Sequence, residues 1–198
     1  MRNNFFSACC RQAVAAVGCV GVAVLLSACG GDESNAREYD LPSNFCGVEV
    51  PTGLYDPIFP PGGEVESRGR FDGAVPAGLN CSYRVDGETA VMSGTSGDSE
   101  FDSFLAVRGL DYSMSEAENV AGEYEALVWP GFVMAKAPCT VGDDESAIIR
   151  SFTVAVQVQH PEDGEESKRI LSEFIQPYMA ALLDQIPCAE YGAGEGGE

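Results

Sequence analysis

Basic residues are scarce in this sequence. Its 198 residues include 11 Lys and Arg against 31 Asp and Glu, so the formal net charge is −20 at pH 7. Proteins that bind nucleic acids neutralise phosphates with a basic surface, and this composition does not favour one. We therefore expect no nucleic-acid partner, and we expect the folded part to be repelled by an anionic lipid surface.

Histidine and catalytic motifs are scarce as well. His160 is the only histidine in the sequence, and it stands before Pro161 and two acids, as is typical of a turn at the end of a strand. A general base needs a nucleophile within hydrogen-bond distance, and no sequence pattern places one beside His160. The G-x-S-x-G, S-x-x-K, H-E-x-x-H and Walker signatures are missing. We predict that the protein is not an enzyme and has no cofactor.

Acidic residues are abundant, but their spacing does not match a calcium-binding loop. Asp98, Glu100 and Asp102 alternate as at the start of an EF-hand loop, which requires Gly at its sixth position and Glu at its twelfth. Serine and glycine occupy those two positions here. A second acidic run, Asp143-Asp144-Glu145, is of a kind that arises by composition in so acidic a chain. We predict no metal site.

An uncharged segment of apolar and small residues runs from Ala13 to Ala28 and holds 16 residues. A membrane-spanning helix needs about 20, so the segment suits a signal peptide better. It ends in Leu26-Ser27-Ala28-Cys29, which resembles the lipobox of bacterial lipoproteins. This resemblance implies that the signal peptide 1–28 is removed and that Cys29 carries lipid, which anchors the protein to the extracytoplasmic face of the cell membrane. The alternative is an ordinary secretory signal with an incidental cysteine.

The rest of the chain divides into three segments by composition. Residues 29–45 are polar and are predicted to form the lipidated N-terminus and a flexible acidic tether. Residues 46–191 are enough for a single α+β domain with its own core. Residues 192–198 are rich in glycine and are predicted to be a disordered tail.

Four cysteines fall in the predicted domain: Cys46, Cys81, Cys139 and Cys188. An even number in an exported domain predicts two disulfides, and four cysteines allow three pairings. We predict the sequential pairing. Cys46–Cys81 would tie the entry segment to the first strong strand, and Cys139–Cys188 would tie a late strand to the end of the last helix. Zinc binding is the alternative, but no pair has the C-x₂₋₄-C spacing of structural zinc sites.

Strand patterns dominate the middle of the chain. Asp86-Gly87 between two β-prone runs predicts a hairpin. The segment 148–159 alternates apolar and polar residues, which is typical of an antiparallel sheet with one face solvated. A short helix is predicted at Glu116–Tyr124 with Ser115 as its N-cap. Further strands are predicted within 64–79, at Phe101–Val107 and within 126–136.

The last element is a long amphipathic helix. Apolar residues recur at spacings of three and four between Ile170 and Ile186, which predicts a helix of about 22 residues beginning near Glu165. Pro177 lies inside it and is expected to kink or split it. The predicted fold is α+β, with an antiparallel sheet of about five to seven strands, this helix packed on one face, and two disulfides.

Several features together resemble a class of small actinobacterial cysteine-containing lipoproteins of uncharacterised function. They are the lipobox, the acidic tether, the cysteine positions at Phe45-Cys46-Gly47-Val48 and Cys139-Thr140, and the closing helix. The resemblance agrees with an α+β fold and implies no catalytic residues.

Two hypotheses of function remain. The favoured one is a non-catalytic module that binds a partner protein or a ligand of the cell envelope. The alternative is a cell-envelope hydrolase or chaperone-like factor with a site around His160 or the acids. An aromatic pocket for sugar or lipid is a further alternative, but core packing is the favoured interpretation of its candidate residues: Trp129, Phe132, Tyr124 and Tyr83.

Overall fold

The computed structural model describes residues 36–71, 78–141, 149–186 and 188. All of them belong to one compact unit, Asp32–Glu198. Several predicted features lie outside the described residues: the signal peptide, Cys29, the first part of the tether, the acidic run at 143–145 and the tail at 192–198. Among the described helices, none is both long enough and apolar enough to cross a membrane.

Seven strands and three α-helices form the regular structure of the described residues. In chain order they are α1 (Thr52–Tyr55), β1 (Val65–Arg68), β2 (Asn80–Val85), β3 (Glu88–Gly97), α2 (Phe101–Arg108), β4 (Glu118–Asn119), β5 (Glu125–Trp129), β6 (Phe132–Val141), β7 (Ile149–Val158) and α3 (Gly164–Leu183). Short 3₁₀ turns lie at Asp56–Ile58 and Met114–Glu116.

The seven strands form one antiparallel sheet in the order β1-β2-β3-β7-β6-β5-β4. It consists of two meanders, β1–β3 and β4–β7, whose last strands pair with each other. With α3 packed against β5 and β6, this arrangement confirms the predicted α+β fold.

The hairpin between β2 and β3 confirms the prediction from Asp86-Gly87. Both residues have positive φ, 50° for Asp86 and 83° for Gly87. Two consecutive positive φ values define the type I′ turn, whose twist matches that of the flanking strands, and Asp-Gly is among its preferred sequences.

The helix α3 begins after Asp163, whose side chain accepts a hydrogen bond from the Glu166 amide at 2.8 Å. This is an N-cap contact. The helix then continues through Pro177 as one element of 20 residues, so the expected split does not occur. Phe174 before the proline and Tyr178 after it are both fully buried, and packing of both halves on the same core offsets the lost hydrogen bond.

Both predicted disulfides are confirmed. Cys46 pairs with Cys81 and Cys139 pairs with Cys188, with Cα–Cα distances of 5.6 Å and 4.7 Å. These distances lie within the range that a disulfide can bridge.

The strand predicted at Phe101–Val107 is wrong, because this segment forms α2. Its buried residues are Phe101, Phe104 and Leu105, which are three and four positions apart as on one side of a helix. The abundance of phenylalanine and valine suggested a strand, but the apolar spacing is helical.

The helix predicted at Glu116–Tyr124 is also wrong. The capping residue is Ser113 rather than Ser115, and it begins a 3₁₀ turn of three residues. The chain then pairs with β5 as the short strand β4. The segment has few large apolar residues, so a helix there would have no apolar side to bury.

Candidate functional site

The sheet has two faces that are covered to different extents. On one face, which we call the closed face, α3 packs beside the N-terminal segment around α1. Phe45 lies at the centre of this packing, and its ring centroid is 4.9 Å from that of Phe174 and 5.0 Å from that of Tyr178. All three side chains are fully buried. The closed face is therefore a dry aromatic core.

The opposite face, which we call the open face, is covered in part by α2. Trp129 donates its indole N–H to the Ser113 carbonyl at 2.8 Å, which fixes the segment after α2 over a second apolar cluster. The prediction that this face is solvated is wrong for its centre, since Thr153 and Ala155 of β7 are buried. The sequence patterns predicted no helix over this face, whereas α2 covers its centre. The cluster under α2 contains Trp129, Phe132, Met134 and Ala155.

A cavity of about 450 Å³ lies on the open face beside the C-terminal half of α2. Its floor consists of two rows of residues that are paired across neighbouring strands. Paired residues share a face, and neighbouring strands lie about 4.8 Å apart. The longer row crosses five strands, so the four steps between neighbouring strands make it roughly 19 Å long. The longer row is Arg68, Ser82, Met92, Gln157 and Phe132, and the shorter one is Asn80, Gly94 and Ala155.

The end of α2 forms one wall of the cavity. The Leu110 amide donates to the Leu105 carbonyl at 3.0 Å, and the Gly109 amide donates to the Ala106 carbonyl at 3.2 Å. Gly109 has a φ of 64°. This is a Schellman motif, which ends the helix after Arg108 and places Leu110 at the cavity. The motif also satisfies two of the last helix carbonyls, so these do not face a ligand unpaired.

Arg108 is held in place by four neighbours. It donates from Nη1 to Asn80 Oδ1 at 2.7 Å and from Nη2 to the Thr95 carbonyl at 3.2 Å. The guanidinium carbon lies 5.3 Å from the centroid of the Phe104 ring. Gly94 lies beneath, where an added Cβ would be 3.2 Å from Nη2. The glycine therefore makes the room in which the guanidinium lies close to the sheet.

Arg68 stands at the outer end of the longer row. Its side chain is 65% exposed and lies 3.7 Å from Glu66, which is itself 52% exposed. An exposed pair at this distance contributes little, so the contact does not hold the guanidinium. The next residue, Gly69, has a φ of 73°, and a Cβ there would lie 2.1 Å from the Asn80 carbonyl oxygen. Only glycine allows this close approach of the end of β1 to β2.

The cavity is positive although the chain is strongly negative. Its described lining contains two arginines, Arg68 and Arg108, and no Asp or Glu, in a chain with 31 acids. Uncharged hydrogen-bonding side chains come from Asn80, Ser82 and Gln157. Apolar surface comes from Met92, Phe104, Leu110 and Phe132.

Tyr112 supports the inner end of the longer row. Its ring stacks on Phe132 with centroids 4.5 Å apart. Its hydroxyl oxygen is 3.3 Å from the Gln157 amide nitrogen, which donates to it. Burial raises the pKa of Tyr112 above 10.0, and the hydrogen bond with Gln157 opposes that rise. The phenol is therefore protonated at neutral pH and holds the Gln157 amide in place.

The four aromatic residues considered for a pocket are divided between the faces. Trp129 and Phe132 lie in the cluster under α2, whereas Tyr83 and Tyr124 belong to the core of the closed face. They do not form one pocket. Of the four, only Phe132 is among the described residues that line the cavity.

His160 lies half-buried at a second concave surface of about 360 Å³, which Asp86 and Glu162 also line. The peptide bond between His160 and the following proline is cis. The Asp86 carboxylate accepts hydrogen bonds from the amides of Gly63 at 3.1 Å and Glu64 at 2.9 Å. The Asp86 side chain therefore stabilises the backbone of the neighbouring loop and does not orient the histidine.

The alternating acids do not converge on one point. Asp98 accepts the Ser151 amide at 2.9 Å. Glu100 forms an ion pair with Lys136, and Asp102 accepts the amide of the residue that follows it at 2.7 Å. Within the described ranges, no group of three or more His, Cys, Asp or Glu is placed to hold a metal ion.

Sequence reasoning missed the residues that form the cavity. One local signal was readable, because Arg108-Gly109-Leu110 is a typical end of a helix. The pairing of Arg68 with Ser82, and of Met92 with Gln157, depends on strand order and register, which no local pattern specifies.

The chain was also compared with known proteins. No protein-family model matches it, and neither the curated proteins nor the solved structures give a match.

Proposed function

We propose that the protein is a lipoprotein held on the extracytoplasmic face of the cell membrane by lipid on Cys29, where it acts without catalysis as a binding module for a ligand of the cell envelope. The ligand site in this proposal is the cavity on the open face.

The observation that carries the proposal is a positive cavity in a negative protein. Small-molecule sites are typically concave, of about 300–1,000 Å³, with apolar walls and a few placed polar groups, and the cavity of about 450 Å³ fits that description. Arg108 is positioned by Asn80 and the Thr95 carbonyl. A preorganised guanidinium loses little conformational entropy on binding a ligand.

Two observations support the proposed location. Leu26-Ser27-Ala28-Cys29 has the residue types and spacing of a lipobox. The domain has two disulfides, which persist in oxidising environments outside the cytoplasm. A diacylated cysteine would anchor the protein stably, since two acyl chains bind a membrane far more firmly than one.

Metabolic labelling with a fatty acid tests the anchor. The wild type should be labelled and Cys29→Ser should not. Cys19→Ser, which changes a cysteine within the proposed signal peptide, is the matched control and should be labelled like the wild type. Label retained on Cys29→Ser would refute lipidation at this residue.

Native mass spectrometry of the protein isolated from its own membrane tests the cavity. We expect a bound small molecule on the wild type. Ser82→Trp fills the cavity floor and should lose this ligand, whereas Ser43→Trp makes the same change at an exposed position and should keep it. An unliganded wild type, or a ligand retained by Ser82→Trp, would refute the cavity as the binding site.

The alternative is a hydrolase with a site around His160, and the observation in its favour is that His160 lines the second concave surface. The geometry supports it less well. The nearby Asp86 is engaged by two backbone amides, and a general base needs an orienting group and a nucleophile in reach. Among the described residues that line this surface, Thr89 carries the only hydroxyl.

A further inference from the structure

We propose that the cavity on the open face binds an amphipathic anion, that is, a molecule with one carboxylate or phosphate head group and an elongated apolar body. This inference rests on the proposed binding function and adds the chemical class of the ligand.

The two arginines of the cavity indicate that the head group of the ligand is an anion. A guanidinium has five N–H donors and no acceptor, and it binds carboxylate or phosphate in two parallel hydrogen bonds. The bonds of Arg108 to Asn80 and the Thr95 carbonyl use two of its five donors. Arg68 has a weak exposed contact with Glu66, which an anion with better geometry would displace.

The apolar side chains in the walls and floor of the cavity indicate that the rest of the ligand is apolar. Met92 is 42% exposed, and its two buried neighbours in β3 point to the opposite face of the sheet. It lies in the row that leads from Arg68 inward to Phe132, and Phe104 and Leu110 also line the cavity. Covering such surface stabilises a complex by about 25 cal/mol per Å² removed from water. The row thus passes from the charged Arg68 at its outer end through the exposed Met92 to Gln157 and the buried Phe132.

The net charge of the chain limits the charge of the ligand. A protein of −20 repels anions at long range, and the repulsion increases with each negative charge on the ligand. A ligand with a single head group experiences less repulsion than a polyanion does, and its head group can make the same contacts with the two arginines. A nucleic acid or another polyanion therefore fits this surface less well than a molecule with one acidic group.

Calorimetric titration of the mature chain, residues 29–198 with Cys29→Ser and its disulfides formed, tests the inference with four probes. Decanoate and decyl phosphate carry both a chain and an acidic group, decanol carries the chain alone, and inorganic phosphate carries the charge alone. Decanoate and decyl phosphate are used below their critical micelle concentrations, and decanol is used below its solubility limit. We expect one or both of the acidic amphiphiles to bind at least tenfold more tightly than decanol and than inorganic phosphate. The comparison of decanoate with decyl phosphate identifies the head group.

Substitutions of Arg68 test the role of its charge. Arg68→Gln should weaken the acidic amphiphile about tenfold and leave decanol unchanged, because hydrogen bonds to charged groups are the stronger ones. Arg68→Lys keeps the charge and should stay within about threefold of the wild type. Arg169→Gln is the matched control, since Arg169 is an exposed arginine on α3 that pairs with Glu173, and it should bind like the wild type.

The outcomes separate this inference from the proposed function. If decanol binds as tightly as decanoate and decyl phosphate, or if Arg68→Gln binds both acidic probes like the wild type, the anionic head group is refuted. Loss of the ligand in Ser82→Trp would still support a binding cavity in that case. Failure of all four probes to bind refutes the ligand class, whereas retention of the native ligand by Ser82→Trp refutes the cavity itself.

Discussion

The closed face and the open face belong to the same seven strands, but different helices cover them and bury different numbers of residues. Eight residues of α3 are buried over the closed face, against three residues of α2 over the open face. Phe45, Phe174 and Tyr178 fill the closed face with aromatic rings. The open face keeps a cavity with two arginines. One face thus contains the larger buried core, and the other contains the cavity that we propose as the ligand site.

A pair of phenylalanine substitutions is expected to show the largest difference between the faces. Phe174→Ala in α3 removes a fully buried ring from the closed face and should lower the free energy of unfolding by about 3–5 kcal/mol, because a closed void remains. Phe104→Ala in α2 removes a ring that borders the existing cavity. Its cost should be about 1.5–3 kcal/mol, close to the transfer term alone. Urea unfolding with the disulfides intact measures both.

Equal losses for these two variants would contradict the comparison. A larger loss for Phe104→Ala than for Phe174→Ala would reverse it, and α2 would then be the main support of the fold. Preserved slopes of the free energy against urea concentration serve as the check that both variants still unfold from a compact state.

Hydrogen exchange is expected to show a smaller difference between the two helices, of about 1 kcal/mol. Local opening is easiest where few apolar contacts must be broken, and α2 is a helix of eight residues with three of them buried. Its amides at Leu105 and Arg108 should therefore exchange through an opening that costs about 1 kcal/mol less than that of Leu171 and Ile175 in α3. Native-state exchange at increasing urea measures both. Equal opening free energies would show that the two helices unfold as one unit.

The fold was more predictable than the cavity, and particular residues show why. The periodicity of α3, the Asp86-Gly87 turn and the four cysteines are local signals, and each predicted its element or pairing correctly. The cavity depends on Arg68, Met92 and Gln157 meeting in one row. They lie on strands β1, β3 and β7, and the pairing of β3 with β7 joins segments about 60 residues apart in the sequence. Neither composition nor spacing specifies that pairing.

The two segments whose secondary structure was predicted wrongly bury few residues: three in α2, and none in β4. Phe101–Val107 was expected to be a strand and Glu116–Tyr124 a helix, and both follow β3 on the way to β5. Few apolar residues anchor these segments, so their patterns are weak. A segment that buries little apolar surface needs few apolar residues at fixed spacings. Its sequence therefore predicts its secondary structure poorly, and it covers little of the sheet.

The smallest expected difference concerns tyrosine ionisation. Burial raises the pKa of Tyr178 on the closed face, with the hydrogen bond to Ser93 opposing the rise, and burial also raises the pKa of Tyr112 on the open face. An unfolded tyrosine loses its proton near pH 10, while these folded ones retain it. Above that pH the folded state binds more protons than the unfolded state, so stability is complete below about pH 10 and falls as the pH rises.

Replacing each tyrosine by phenylalanine separates the two contributions. Tyr178→Phe should cost about 1 kcal/mol or less at pH 7, because the Ser93 hydroxyl also donates to the Ala155 carbonyl at 3.0 Å. Between pH 10 and 11 this variant should lose up to about 1 kcal/mol less stability than the wild type. Tyr112→Phe should show a smaller change, because Tyr112 is half-buried and less strongly desolvated. Urea unfolding at pH 7, 9, 10 and 11 gives all the values needed. An alkaline loss in Tyr178→Phe as steep as that of the wild type would show that the phenol ionises as readily in the closed core as in water, which a dry aromatic core does not allow.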